Sequence, residues 1–222
     1  MVSGSSGIFC RKASLGFNAF FSTPYGAIHH LTEILARACC SGNMLAAIGG
    51  RMNGRMNERI SGTWDACIIG GGPAGLAAAI ALRLRGLQVV VADGLRPPID
   101  KACGEGLMPD SISAMQRLGI EIPAELGRRF FGIRFIDNER QIDGDFSTGY
   151  ALAVRRTVLH EKMVERAEAC GVNFRWGASI SHLNSDGVVT AAETIRARWI
   201  VGADGARSLV RRWAGPMTSW AN

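Results

Sequence analysis

Apolar and polar positions fall into short, differently spaced blocks from residue 63 onward. "WDACIIG" is a brief apolar run and reads as a strand. The Ala/Leu-rich stretch that follows predicts a helix over 73–85, closed by Gly86. "LQVVVAD" is a second apolar strand, so these segments make a strand–helix–strand unit of about thirty residues. "GLRPPIDKACGEGLMP" then breaks all periodicity with Pro and Gly. "DSISAMQRLG" predicts a helix with Asp110 as its N-cap and Gly119 as its stop. "FGIRFIDNERQIDGDF" alternates as two strands around a turn at 137–139. A helix is predicted over 156–170, with Val158, Leu159, Met163, Val164 and Ala167 as its apolar stripe and Gly171 as its end. The segment from Val172 to Gly205 predicts three or four strands with a turn at Asp186–Gly187. Strands alternating with helices place residues 63–222 in the α/β class.

Residues 1–62 lack such a pattern. They hold six Lys or Arg and two Glu, so most of the chain's formal charge of +6 sits there. An acid-poor, positive leader with "FCRKASLGFNAFFS" as its best stretch suits a transit peptide. A true start at Met44, Met52 or Met56 suits the same residues equally well. Either way, 1–62 is read as a leader or spurious extension, poorly ordered, and 63–222 as the folded domain. No basic run with interleaved aromatics points to nucleic acid. No apolar run reaches the roughly 18–20 residues of an integral membrane segment.

The six cysteines include no C-x-x-C pair or zinc-like Cys/His spacing, and Cys67 and Cys170 read as small buried hydrophobes. A reducing, cytoplasmic setting is expected, unless the leader directs the chain elsewhere. The four histidines are scattered, and His160 is expected on a partly exposed helix face.

The glycines bring in chemistry. Gly70, Gly72 and Gly75 form G-x-G-x-x-G between a strand and a helix. The first makes a tight turn, the second lets backbone approach a pyrophosphate, and the third lets the helix lie close to the sheet. The helix N-terminus, entered through Pro73 and Ala74, offers N–H groups and a positive dipole end to phosphates. Asp93 closes the second strand, where a carboxylate can accept hydrogen bonds from ribose hydroxyls. An acid there repels a 2′-phosphate, so FAD or NAD is preferred to NADP.

"WIVGADGARSLVRR" places Asp204–Gly205 after a long apolar strand, with Ser208 and Arg211 at fixed offsets. This arrangement resembles the flavoprotein monooxygenases of the para-hydroxybenzoate hydroxylase type and the related geranylgeranyl reductase group. The resemblance implies a Rossmann-like, three-layer FAD/NAD(P)-binding domain with a parallel central sheet, carrying an inserted, incomplete antiparallel substrate-domain sheet. It implies FAD as cofactor and NAD(P)H as electron donor. It gives Asp204 and Gly205, with Ser208 and Arg211, contacts to the ribityl and pyrophosphate region. "KACGEGLMPDSISAMQRLG" resembles the C-G-x-G loop of the reductase branch and brings Cys103 and Gly104 near the flavin. "AVRRTVLHEKMVERAEACGV" resembles the arginine-led helix that contacts the pyrophosphate, through Arg155 or Arg156.

The resemblance covers about residues 63–215, the N-terminal half of such a flavoprotein. A truncated FAD-binding domain is therefore expected, and a non-catalytic FAD-binding fragment is a competing reading. Hydroxylases of this kind use NAD(P)H and dioxygen to oxygenate a small organic substrate, whereas the reductases deliver hydride to an alkene. No acid–base constellation in the sequence chooses between them, so the catalytic residues are unassigned.

Overall fold

A computed structural model of the chain describes residues 62–101, 103–184 and 187–213, with the backbone of two short strands, β1 (Ile8–Lys12) and β2 (Asn18–Phe21), nearer the N-terminus. The rest of the expected leader, the alternative starts, Asp186 and the final "AGPMTSWAN" lie outside the described residues. In chain order there follow β3 (Trp64–Ile69), α1 (Pro73–Arg83), β4 (Val89–Asp93), β5 (Gly106–Leu107) and α2 (Pro109–Arg117). Then come β6 (Arg128–Phe130), β7 (Gly132–Asp137), β8 (Arg140–Asp145), β9 (Ala151–Ala153) and α3 (Arg156–Ala169). The chain continues through β10 (Asn173–Trp176), β11 (Ile180–Leu183), β12 (Val188–Thr190), β13 (Thr194–Ile195), β14 (Ala197–Gly202) and α4 (Leu209–Trp213). Two compact units divide the chain: residues 1–96 with 167–222, and residues 97–166, which interrupt the first in sequence.

The first unit is built on a six-stranded sheet in the order β10-β4-β3-β14-β1-β2. β10, β4, β3 and β14 run parallel, with β10 at the edge; β1 adds antiparallel to β14, and β2 antiparallel to β1. Parallel strands covered on both faces read as unbroken apolar runs, which is why "ACII" and "VVVA" show no alternation. Ile68 and Val91 share one face, and Cys67 and Val90 share the other. The second face joins Val188, Ile195, Ile200 and Val210 in one buried core. α1 packs on β3 and β4, and its residues from Gly75 to Leu82 are all buried. A helix with no polar face is stable only inside a core.

The second unit carries a three-stranded antiparallel sheet, β5-β9-β6, and the separate β7–β8 hairpin. The hairpin turns at Asn138–Glu139 as expected, with Asn138 at φ +49°. The α/β class, the parallel central sheet and the additional antiparallel sheets all match the expectation.

Several local readings change. Five strands, not three or four, follow Val172, because β13 is only two residues long. Asp110 does not cap α2: Met108 is the N-cap and no side chain caps it. Pro109 takes the first helical position, which its fixed φ suits, and moves Asp110 one place into the first turn. There its carboxylate still favours the helix dipole. α1 ends at Arg83, two residues short of the expected end, although Gly86 still closes the turn. Cys170 is half-buried rather than buried. His160 is fully buried at 0% exposure, not partly exposed, and lies next to Leu159 on the inward side of α3.

Candidate functional site

The strand order locates a crevice. From β3 the chain steps outward through β4 to β10, then returns to the opposite side of β3 as β14. The C-terminal ends of β3 and β14 therefore flank a topological switch point, where open α/β sheets bind ligands. Gly70 follows β3, and Ala203–Asp204 follows β14. The two exits are tied together, since Ala203 N–H donates to Ile69 O at 2.7 Å. Gly70 itself donates to Ala92 O at 2.9 Å. It has φ +111°, and a side chain there would collide with the Ala203 carbonyl and lie 2.9 Å from Asp204 N. Only glycine permits both that dihedral and that approach.

The same turn brings in the rest of the fingerprint. A Cβ on Gly75 would strike the Gly70 carbonyl, so the start of α1 lies directly on the turn. Gly72 is the N-cap of α1, Pro73 and Ala74 form its first positions, and no side chain caps it. No acid occupies the first turn, so the positive end of the dipole is not offset locally.

Asp93 ends β4 beside this turn. Its Oδ2 accepts the Gly71 N–H at 2.7 Å and its Oδ1 accepts the Leu95 N–H at 2.8 Å. Each carboxylate oxygen retains acceptor capacity after these bonds. Gly71 and Trp176 are two residues that sequence reasoning passed over. A Cβ on Gly71 would fall on Cζ3 and Cη2 of the Trp176 ring. The run of three consecutive glycines, 70–72, was the available signal for Gly71. Trp176 is placed only by the pairing of β10 with β4.

Asp204 sits on the far side of the switch point. Its Oδ2 accepts the Leu209 and Val210 N–H groups at 2.7 and 3.2 Å, anchoring the start of α4. Its Oδ1 is buried and accepts no hydrogen bond among the described residues. A buried carboxylate oxygen without a donor is costly and points to a missing partner. Gly205, at φ +87°, turns the chain after it. Ser208 Oγ caps α4 by accepting the Arg211 N–H at 3.0 Å, and the Arg211 guanidinium donates to Ala206 O at 3.1 Å. Ser208 and Arg211 thus hold the loop that presents Asp204.

The other four candidates lie in the second unit and come together there. β5 pairs with β9, Gly106 opposite Ala153, so the residues just before Gly106 run antiparallel to those just after Ala153. Glu105 joins them: its carbonyl accepts the Val154 N–H at 2.8 Å, and its Oε1 accepts the Arg156 N–H at 3.1 Å at the start of α3. Glu105 adopts φ +52°, unusual for a side-chain-bearing residue. Cys103 is exposed, and its Sγ accepts the Glu105 N–H at 3.4 Å. Arg155 is exposed, while Arg156 Nε is buried and donates to nothing among the described residues.

Cys67 lies in the core of the first unit, where burial pushes its thiol up to about 12. That thiol is no nucleophile at neutral pH. Among the described residues, no three His, Cys, Asp or Glu side chains gather as a metal site. No helix among them is long and apolar enough to cross a membrane.

Residues 63–219 match the family described as FAD binding domain. A rifampicin monooxygenase of Streptomyces venezuelae is 33% identical over 164 residues, covering 68% of this chain and 34% of its own length. A menaquinone reductase of Mycolicibacterium smegmatis is 32% identical over 162 residues, covering 68% of this chain and 40% of its own length. A solved p-nitrophenol 4-monooxygenase from Pseudomonas putida DLL-E4 has the same fold at a TM-score of 0.56 and 22% identity, over 69% of this chain and 44% of that one. The chain thus spans 34–40% of the length of these curated relatives. The glycine turn, Asp93 and the Asp204 loop all fall within the matched residues, and the chain belongs to the FAD binding domain family.

Proposed function

We propose that this chain is the FAD-holding part of an NAD(P)H-dependent flavin monooxygenase that acts on a small organic molecule. The observation that carries the reading is Asp204 Oδ1, buried and unpartnered among the described residues, across the switch point from the glycine turn. The ADP half of FAD would meet the uncapped start of α1 at Gly70, Gly72, Pro73, Ala74 and Gly75. Its ribose hydroxyls would donate to the spare acceptor positions on Asp93. A hydroxyl of the ribityl chain would supply the donor that Asp204 Oδ1 lacks. Gly205, Ser208 and Arg211 would act by shaping and holding the Asp204 loop. In the second unit, Cys103, Gly104, Arg155 and Arg156 are proposed as cofactor contacts. The buried Arg156 Nε suits an anion. FAD, when bound, supplies electron transfer between a nicotinamide donor, dioxygen and the organic substrate.

A second reading, a flavin-dependent reductase, draws support from the identity with the menaquinone reductase. Oxygen uptake separates the two. With FAD and NADH or NADPH added, a monooxygenase consumes dioxygen as the nicotinamide is oxidised in the presence of an accepted substrate. Nicotinamide oxidation with stoichiometric reduction of a quinone or alkene, and no oxygen uptake, would replace the first reading with the second.

A further inference from the structure

The Trp176 ring lies against the glycine turn. It is the last residue of β10, and its Cα pairs in parallel register with Asp93. The two residues after it are pinned to the same neighbour: Gly177 N–H donates to Leu95 O at 3.2 Å and Ala178 N–H to Asp93 O at 3.0 Å. The ring is equally well fixed. It stacks on Phe174, with centroids 4.8 Å apart and planes at 10°, and its six-membered edge lies against the Cα of Gly71. Gly71 is in turn held by Asp93 Oδ2. The indole therefore spans from the edge strand to the middle glycine of the turn, past the end of β4. Yet the side chain is not sealed into the core, because Trp176 remains partly exposed.

From this geometry we infer that Trp176 is the aromatic wall of the adenosine side of the site and adds affinity for the base of the dinucleotide's adenosine half. The inference rests on the FAD-binding reading above. A base carried on a ribose held by Asp93 would reach past the end of β4 toward β10, the side on which the Trp176 ring stands. An aromatic wall next to a carboxylate suits a flat base on a free 2′,3′-diol. Base–aromatic stacking is tolerant of base identity, so the wall adds affinity, while Asp93 adds discrimination against a 2′-phosphate.

The test uses the full chain with ADP and with FAD, measured by calorimetry, and tryptophan emission as a second readout. ADP does not absorb where tryptophan emits, so quenching by it is not energy transfer, and its loss in Trp176→Phe assigns it to that ring among the chain's five tryptophans. ADP is expected to quench emission of the parent chain, and FMN to leave the ADP response intact. Trp176→Phe should bind ADP and FAD about as well as the parent while losing the ADP quench. Trp176→Leu, which removes the π face, should weaken both ligands by about fivefold or more. If Trp176→Leu binds ADP and FAD as tightly as the parent, or more tightly, the wall assignment is overturned while FAD binding stands. If the parent chain binds neither ligand, the FAD reading itself fails and this inference falls with it.

Discussion

The backbone N–H of Gly71 donates to Oδ2 of Asp93 at 2.7 Å, joining the middle of the glycine turn to the end of the neighbouring strand. The acid that would bind ribose thus also fixes the loop that would bind phosphate. Because Oδ1 is engaged by Leu95, both carboxylate oxygens are needed. Asp93→Asn keeps one acceptor and sets an amide NH₂ against a backbone N–H. The expected outcome is a loss of about 1–3 kcal/mol in chemical denaturation, together with weaker FAD binding. An unchanged unfolding midpoint would mean that the carboxylate does not organise the turn.

Gly70 tests the close approach of the two strand exits. Gly70→Ala must relieve both φ +111° and the collision with the Ala203 carbonyl. The dihedral alone costs on the order of 1–3 kcal/mol, and displacing Ala203 adds to it. Gly144→Ala, whose new methyl would sit 3.8 Å from Ile133 O in ordinary contact, is the control and should unfold close to the parent. Equal midpoints for the two variants would contradict the proposed packing of the switch point.

Cys67 and Cys103 should differ sharply toward thiol reagents. Cys103 is exposed, whereas Cys67 is buried with its thiol pushed up to about 12 from an ordinary 9.0. Peptide mapping after brief alkylation at neutral pH should find Cys103 modified and Cys67 intact until denaturant is added. The linkage has a definite sign. A raised folded value means the protonated thiol stabilises the fold fully below about 9, and that contribution fades as pH climbs toward 12. Rapid labelling of Cys67 in the native chain would place it outside the core.

The β7–β8 hairpin carries a cross-strand pair, Phe135 and Ile142, that is 66% and 71% exposed. Burial therefore contributes little to holding either residue, and apolar exposure favours association. Phe135→Thr with Ile142→Thr should leave the unfolding midpoint within about 0.5 kcal/mol of the parent and raise solubility. A large loss of stability would show that the pair is covered in solution.

How much of this was legible in the sequence depended on how local the physics was. The turn at Gly70, Gly72 and Gly75 declared itself because each glycine answers a constraint set within a few residues. Helix stops at Gly86, Gly119 and Gly171 were readable for the same reason. Asp110 misled because a good capping residue followed Pro109, and the proline's preference for the first helical position prevailed. His160 misled because helical periodicity gives a face, while burial depends on what packs against that face. Trp176 was invisible for a different reason. Its neighbourhood is set by pairing between strands about 80 residues apart, and no spacing rule reports that. Glu105 was likewise hidden, since its bond to Arg156 arises only when β5 pairs with β9.

The most direct test is equilibrium titration of the purified chain with FAD, followed by flavin fluorescence anisotropy, in the parent and in Asp204→Ala. The expected result is saturable binding of one FAD per chain, weakened about tenfold or more when the buried, donor-seeking carboxylate is removed, on the order expected for a hydrogen bond to a charged group. No saturable binding by the parent chain, or identical binding by the two proteins, would contradict the assignment of this site to FAD.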